Sequence, residues 1–450
     1  MSFTRALRAV GAAAAAGALL FAAAPTASAD QVRDGQWQLS AFSADKIWQV
    51  ATGKGVTVAV IDDGVDASHA DLKGNVLAGK DFESGDGDAS PEEGDSHGTA
   101  MAGDIAAHGH GANGESGAKG LAPDAKILPI RDLGGSCFAQ SIRYAVAQGA
   151  QVINISQGVS NCTDEPAVLK AISYANDHGV PVVFSTGNEG ESADEMLPVS
   201  YPGVVGVGAV ASSGEVWDKS NYGKPVLLTA PGVDIVSPGT GSTGYSKGQG
   251  TSDSAAFVSG ALALLKQKFP DLSAGQLVNR LVKTAGLPAS AKGTSLPDEH
   301  YGYGYIQPLA ALIKTIPAGS KNGPLKIDEL NASIAKAGGS ASGSPAPETS
   351  PGSASSDSDS DSGGMSTGLI IAIAAGVLII LVIVVVVIAR SKKNNGSGPP
   401  PPPGGGWGGA GGQPSYPAQQ PYPGSYPQQA PPGQGGSYPT APSQPPYGQQ

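Results

Sequence analysis

Val58-Ala59-Val60-Ile61-Asp62-Asp63-Gly64 sets a run of apolar, mostly β-branched residues against an abrupt polar stop. A run this short, closed by an Asp-Gly turn signal, predicts a buried strand. Counting that run, which reads as Val56–Ile61, five such segments recur; the others are Lys126–Ile130, Val152–Ile155, Val182–Ser185 and Val204–Val207. Helical patterns at Ser141–Gln148 and Glu165–His178 lie between them, and Gln276–Ala285 reads as a further covering helix. Strands that alternate with helices imply crossover connections, so the expected fold class is α/β with a mainly parallel central sheet.

Downstream of that strand, His97 is followed by Gly98 and Thr99, and Ser252 is preceded by Gly250 and Thr251. Taken singly, each residue has an ordinary reading. Ser252 before Ala255, Ala256 and the apolar run to Leu265 suits a helix start, His97 suits a loop, and Asp62 suits a strand-end turn. Taken together, a carboxylate, an imidazole and a hydroxyl are the parts of an activated nucleophile.

The flanking residues carry a resemblance. Val58 to Gly64, Ser96-His97-Gly98-Thr99-Ala100-Met101-Ala102-Gly103, and Gly250-Thr251-Ser252 with Val258-Ser259-Gly260 resemble the three signature blocks of subtilisin-type serine proteases, in the same chain order. Ser185-Thr186-Gly187-Asn188-Glu189-Gly190 resembles the segment that supplies that family's oxyanion-hole asparagine. The resemblance runs from about Trp37 to about Pro317 and implies a three-layer sandwich. It implies His97 as general base and then acid, Asp62 as its orienting carboxylate, and Ser252 as nucleophile. Asn188 and the backbone amide of Ser252 become the oxyanion donors. Asp63, one residue nearer the glycine, is assigned to the turn. Ser156-Gln157-Gly158 and Thr186-Gly187 resemble the walls against which an extended peptide pairs as an added strand. Where subtilisins usually carry proline and histidine after the nucleophile, this chain has Ala256 and Phe257; alanine favours a helix over proline, so the helix is expected to continue.

The chain has 450 residues, but its 66 glycines and 36 prolines are unevenly spread, so length overstates the folded part. Arg5 and Arg8, an apolar run from Val10 to Ala24 and Ala27-Ser28-Ala29 read as a signal peptide over 1–29, placing the mature start at Asp30. So few residues separate Ala29 from Trp37 that no conventional pro-domain is expected. In an exported protein Cys137 and Cys162 are expected to form a disulfide, two separate buried thiols being the alternative. The net charge of −11 and the absence of a basic patch argue against nucleic-acid partners. Asp81 to Asp95 is acidic but lacks EF-hand spacing, so a solvated loop is expected, with no metal and no cofactor.

Beyond the peptidase region, 30–317, the segment 318–367 is read as a flexible stalk, most plainly in the Ser, Gly, Asp and Pro of Gly338 to Gly364. Gly368 to Ala389 carries no charge and is long enough for one transmembrane helix, and Arg390, Lys392 and Lys393 place its far side in the cytoplasm. The tail, 390–450, is expected to be disordered and cytoplasmic. This layout resembles mycosins, membrane-anchored serine proteases associated with type VII secretion in actinobacteria, although the Pro/Gly/Tyr/Gln tail departs from that pattern. The resemblance implies an extracytoplasmic endopeptidase acting on protein or peptide substrates, held at the cell membrane beside secretion-complex membrane subunits. The alternative is a structural component of such a complex in which cleavage is dispensable.

Overall fold

The computed structural model describes residues 27–339 except 86, 160, 241 and 242. The apolar part of the segment read as a signal peptide, the rest of the expected stalk beyond 339, the expected membrane span 368–389 and the expected tail lie outside the described residues. No helix among the described residues is long and apolar enough to cross a membrane.

In chain order, α1 (Ala27–Gly35), α2 (Trp37–Phe42) and α3 (Ala44–Trp48) lead to β1 (Thr57–Asp62) and β2 (Lys80–Asp81). Then follow α4 (His97–Ala106), the ribbon β3 (His108–His110) and β4 (Ser116–Lys119), β5 (Lys126–Arg131), α5 (Ala139–Ala147), β6 (Val152–Ile155), α6 (Glu165–Asp177) and β7 (Val182–Ser185). β8 (Val205–Val210), β9 (Val226–Pro231), the hairpin β10 (Ile235–Pro238) and β11 (Tyr245–Gly248), α7 (Thr251–Lys268), α8 (Ala274–Thr284), α9 (Pro308–Ile313) and α10 (Ile327–Gly339) complete the unit.

Seven strands form one sheet in the order β2-β5-β1-β6-β7-β8-β9, and every neighbouring pair is parallel. The expected mainly parallel α/β sandwich is therefore the observed fold. Alternate side chains of β1 serve two cores. Val58 and Val60 face a layer that includes Ile105, Leu262 and Leu277, while Ala59 and Ile61 face Ile142, Ile172 and Leu330. Each such buried Val, Ile or Leu side chain contributes about 1.5–3 kcal/mol by leaving water. This is why β1 reads as continuously apolar. It has helices on both sides.

The sheet order also fixes the site. After β1 the chain goes first to β2 and β5 on one side, and then returns to β6 on the other. The crevice at the carboxyl ends of the strands around such a reversal is where open α/β sheets bind ligands. Asp62 is the last residue of β1 and stands there.

Several elements lie outside the sequence reading. β9 escaped it because Pro225 precedes and Pro231 ends the segment, prolines that its place at the edge of the sheet accommodates. Helix α10 falls within the part read as stalk, yet Leu325 and Leu330 are buried, so the packed unit continues past residue 317. In the acidic loop, Asp81 and Glu92 both meet the buried Arg131, at 3.2 and 2.6 Å, so the loop is clasped to β5 and not simply solvated. Helix α7 is continuous through Ala256 and Phe257, and Phe257 meets Phe42 edge to face at 5.7 Å.

Candidate active site

Asp62 is 1% exposed, and its Oδ1 accepts hydrogen bonds from the Asp63 amide at 2.9 Å and from His97 Nδ1 at 2.7 Å. That second bond sets the tautomer, placing the proton on Nδ1 and leaving Nε2 as the basic nitrogen of the neutral ring. The imidazole is pushed up to about 9, first by the charge of Asp62, against the opposing effect of burial, with Asp63 and Asp253 adding to the upward shift. His97 opens helix α4. The first turn of that helix rests on Asp63, whose carboxylate accepts from the Gly98 amide at 2.7 Å and the His97 amide at 3.1 Å. Asp63 thus does more than turn the chain: it holds the base-bearing helix against the end of β1. Burial, followed by the charge of Asp62, raises its pKa. Gly98 permits this approach, because a Cβ there would lie 2.3 Å from the Gly64 carbonyl oxygen and 3.0 Å from Asp62 Cβ.

Ser252 is the second residue of α7 and is 8% exposed. Its hydroxyl donates to the Ser156 carbonyl at 3.1 Å, and its own carbonyl accepts from the Ser156 hydroxyl at 3.2 Å. No hydrogen bond joins Ser252 to His97 in this structure. Ser156 receives Asn154 Nδ2 at 3.0 Å, and Asn154 Oδ1 receives Ser259 at 2.9 Å, so a buried polar chain runs from the middle of α7 back to its start.

Asn188 lies in the loop after β7. Its Oδ1 accepts from the Thr251 amide at 2.9 Å and the Thr251 hydroxyl at 3.1 Å. An amide N–H requires an acceptor, so this contact fixes which end of the Asn188 side chain is oxygen and leaves Nδ2 as the outward donor. Thr251 also receives the Gly187 amide at 3.0 Å, tying this loop to the start of α7.

Beside these groups is a cavity of about 350 Å3 lined by Ser156, Gly158, Val159, Ser185, Gly187, Asn188, Glu189, Met196 and Ser252. Of the expected wall residues, Ser156, Gly158 and Gly187 line it. Gln157 and Thr186 do not. Thr186 is fully buried, its hydroxyl donating to the Val207 and Asn221 carbonyls, and it supports the wall from behind. Val159, Glu189 and Met196 were not legible as wall residues, since nothing in their spacing brings them to one surface. Cys137 and Cys162 form a disulfide with 5.6 Å between Cα atoms, linking the approach to α5 with the segment after Ser156–Val159.

Sequence comparison places residues 53–304 within the model of the subtilase family. The major intracellular serine protease of Bacillus subtilis is 38% identical over 242 residues, which are 51% of this chain and 74% of that protein. Mycosin-1 of Mycolicibacterium smegmatis is 32% identical over 356 residues, covering 66% of this chain and 77% of the relative. The solved structure of MycP1 from the ESX-1 type VII secretion system superposes with a TM-score of 0.55 at 31% identity, covering 64% of this chain and 89% of that one.

Proposed function

As the chain belongs to the subtilase family and is a subtilisin-like serine endopeptidase related to mycosins, we propose that Asp62, His97 and Ser252 perform the cleavage through an acyl-enzyme. The observation that carries this reading is the 2.7 Å bond from the His97 imidazole, at the start of α4, to the buried Asp62, with Asp253, the residue after Ser252, close enough to act on the same imidazole.

For attack, the Ser252 hydroxyl leaves the Ser156 carbonyl by rotating about its Cα–Cβ bond and gives its proton to His97 Nε2 as Oγ bonds to the scissile carbonyl carbon. The developing oxyanion is met by Asn188 Nδ2 and the Ser252 amide at the α7 N-terminus. His97 then protonates the departing amine. Water, deprotonated by the same imidazole, breaks the acyl ester and restores Ser252. Asp62 remains ionised throughout, holding the ring and stabilising its cationic form.

The expected setting is extracytoplasmic, anchored by 368–389 with 390–450 in the cytoplasm, and the substrates are exported proteins of a type VII secretion system. Supporting this are the signal-like start, the charge bias after Ala389 and the likeness to mycosins. Labelling of intact cells with a membrane-impermeant fluorophosphonate tests both parts. Wild-type protein labels, S252A does not, and labelling only after lysis overturns the topology.

The second reading, a structural role in a secretion assembly with cleavage dispensable, is favoured by one feature. The Ser252 hydroxyl is engaged with Ser156 and not with its base. Export that survives S252A but fails on deletion of the domain supports this role.

A further inference from the structure

Asp253 follows the nucleophile and is 7% exposed; Asp104, on α4 two turns after His97, is 1% exposed. The two carboxyls lie on helices packed against each other, and each shifts the other's protonation. Asp104 Oδ1 also accepts from Ser237 Oγ of β10 at 2.6 Å, whereas its Oδ2 is buried with no N–H or hydroxyl donor. Two ionised carboxylates are acceptors only, so a bond between them requires one proton.

We propose that Asp104 and Asp253 share a single proton and act as a positioning pair, tying the helix that bears His97 to the helix that bears Ser252 and keeping one negative charge beside the imidazole. The inference deepens the serine-peptidase reading and, for the imidazole, rests on it.

The position of the proton follows from the surroundings. Asp253 lies in the first turn of α7, where the helix dipole favours an anion, and His97 also favours its ionised form. Asp104 is enclosed near the end of α4, where burial raises its pKa well above the usual carboxylate range. The proton therefore resides on Asp104, which donates to Asp253. The charged groups facing His97 are Asp62 and Asp63 from the end of β1 and Asp253 from α7; those facing the pair are its two members and His97. The proposed charge acts on His97 through space, without touching substrate.

The test uses the full chain and two measurements. In D2O at neutral pH, the infrared difference between wild type and D104N is expected to contain the carbonyl band of a protonated carboxyl, present only in wild type. Its absence from the difference overturns the shared proton. The rate of fluorophosphonate inactivation is then followed against pH. D253N removes a negative charge beside the imidazole, so its acid-side inflection is expected to move to lower pH by roughly 1. D104N, whose amide still donates to an ionised Asp253, is expected to retain the wild-type inflection. A D253N inflection that coincides with wild type overturns the electrostatic role. If D253N fails to melt cooperatively, the D104N infrared comparison decides. A wild type that does not label at all removes the peptidase reading, while the infrared result still reports on the pair.

Discussion

Ser156 and Ser252 are joined twice, each giving its hydroxyl to the other's carbonyl, at 3.1 and 3.2 Å. The backbone and side chain of the proposed nucleophile are therefore both held by one residue just past the end of β6. S156A removes one of the acceptances at the Ser252 carbonyl and leaves the buried Asn154 Nδ2 without its partner, at about 1–3 kcal/mol for the unpaired group. The expected outcome is a lower urea midpoint at unchanged m-value, with S156T losing less.

The raised pKa of His97 has two consequences of opposite sign. As a base it must be deprotonated, so the rate of fluorophosphonate inactivation should climb with pH toward an inflection near about 9. As an ion-pair partner it stabilises the fold only while protonated. An unfolded histidine releases its proton near about 6.5, so the contribution is complete below that pH and is lost as pH rises through the folded value of about 9. The His97 side chain is 42% exposed, so solvent screening weakens the gain. Urea midpoints of wild type are expected to fall toward those of H97A across this window; parallel curves would contradict the ion pair.

Asn188 contributes in two ways that one substitution can separate. N188A removes both the acceptor for Thr251 and the outward Nδ2 donor, while N188D keeps the acceptor and loses the donor. With Nδ2 in the oxyanion hole, both variants should lose about a hundredfold to a thousandfold in kcat on a peptide ester, the magnitude known for a subtilisin. Only N188A should also show a lowered melting temperature. An N188D enzyme of wild-type kcat would remove Nδ2 from the mechanism.

The disulfide between Cys137 and Cys162 spans a sequence separation of 25 residues. Closing a loop of this size restricts the unfolded chain by about 3 kcal/mol. C137S/C162S should lose roughly that amount in denaturant unfolding, and because Cys162 follows the cavity wall, KM for a peptide substrate should rise more than kcat falls. Equal stability of the two proteins would show that the crosslink does not constrain the chain.

The parts of this molecule that were legible before its structure share a physical property: their environment is uniform along the segment. β6 and β7 are buried throughout and mostly apolar because helices cover both faces, and their ends at Val152, Ile155, Val182 and Ser185 match the expected ones. The proposed site residues Asp62, His97, Ser252 and Asn188 could be singled out because short local sequence surrounds each of them. β9 was not, since its role as an edge strand depends on a neighbour rather than on its own residues. Asp63 could be seen as capping α4 only once Gly98 was known to approach Gly64. Asp253 had no local signal either, because its partner Asp104 sits on another helix.

Every residue of α7 from Thr251 to Leu265 is buried. The beam that carries Ser252 is thus also the keel of the whole domain. Loosening Ser252 means prising apart both layers around it, so damage to the proposed chemistry and collapse of the architecture should arrive together. A peptidase built this way has little room to linger half-open, where it could be cut by its own kind.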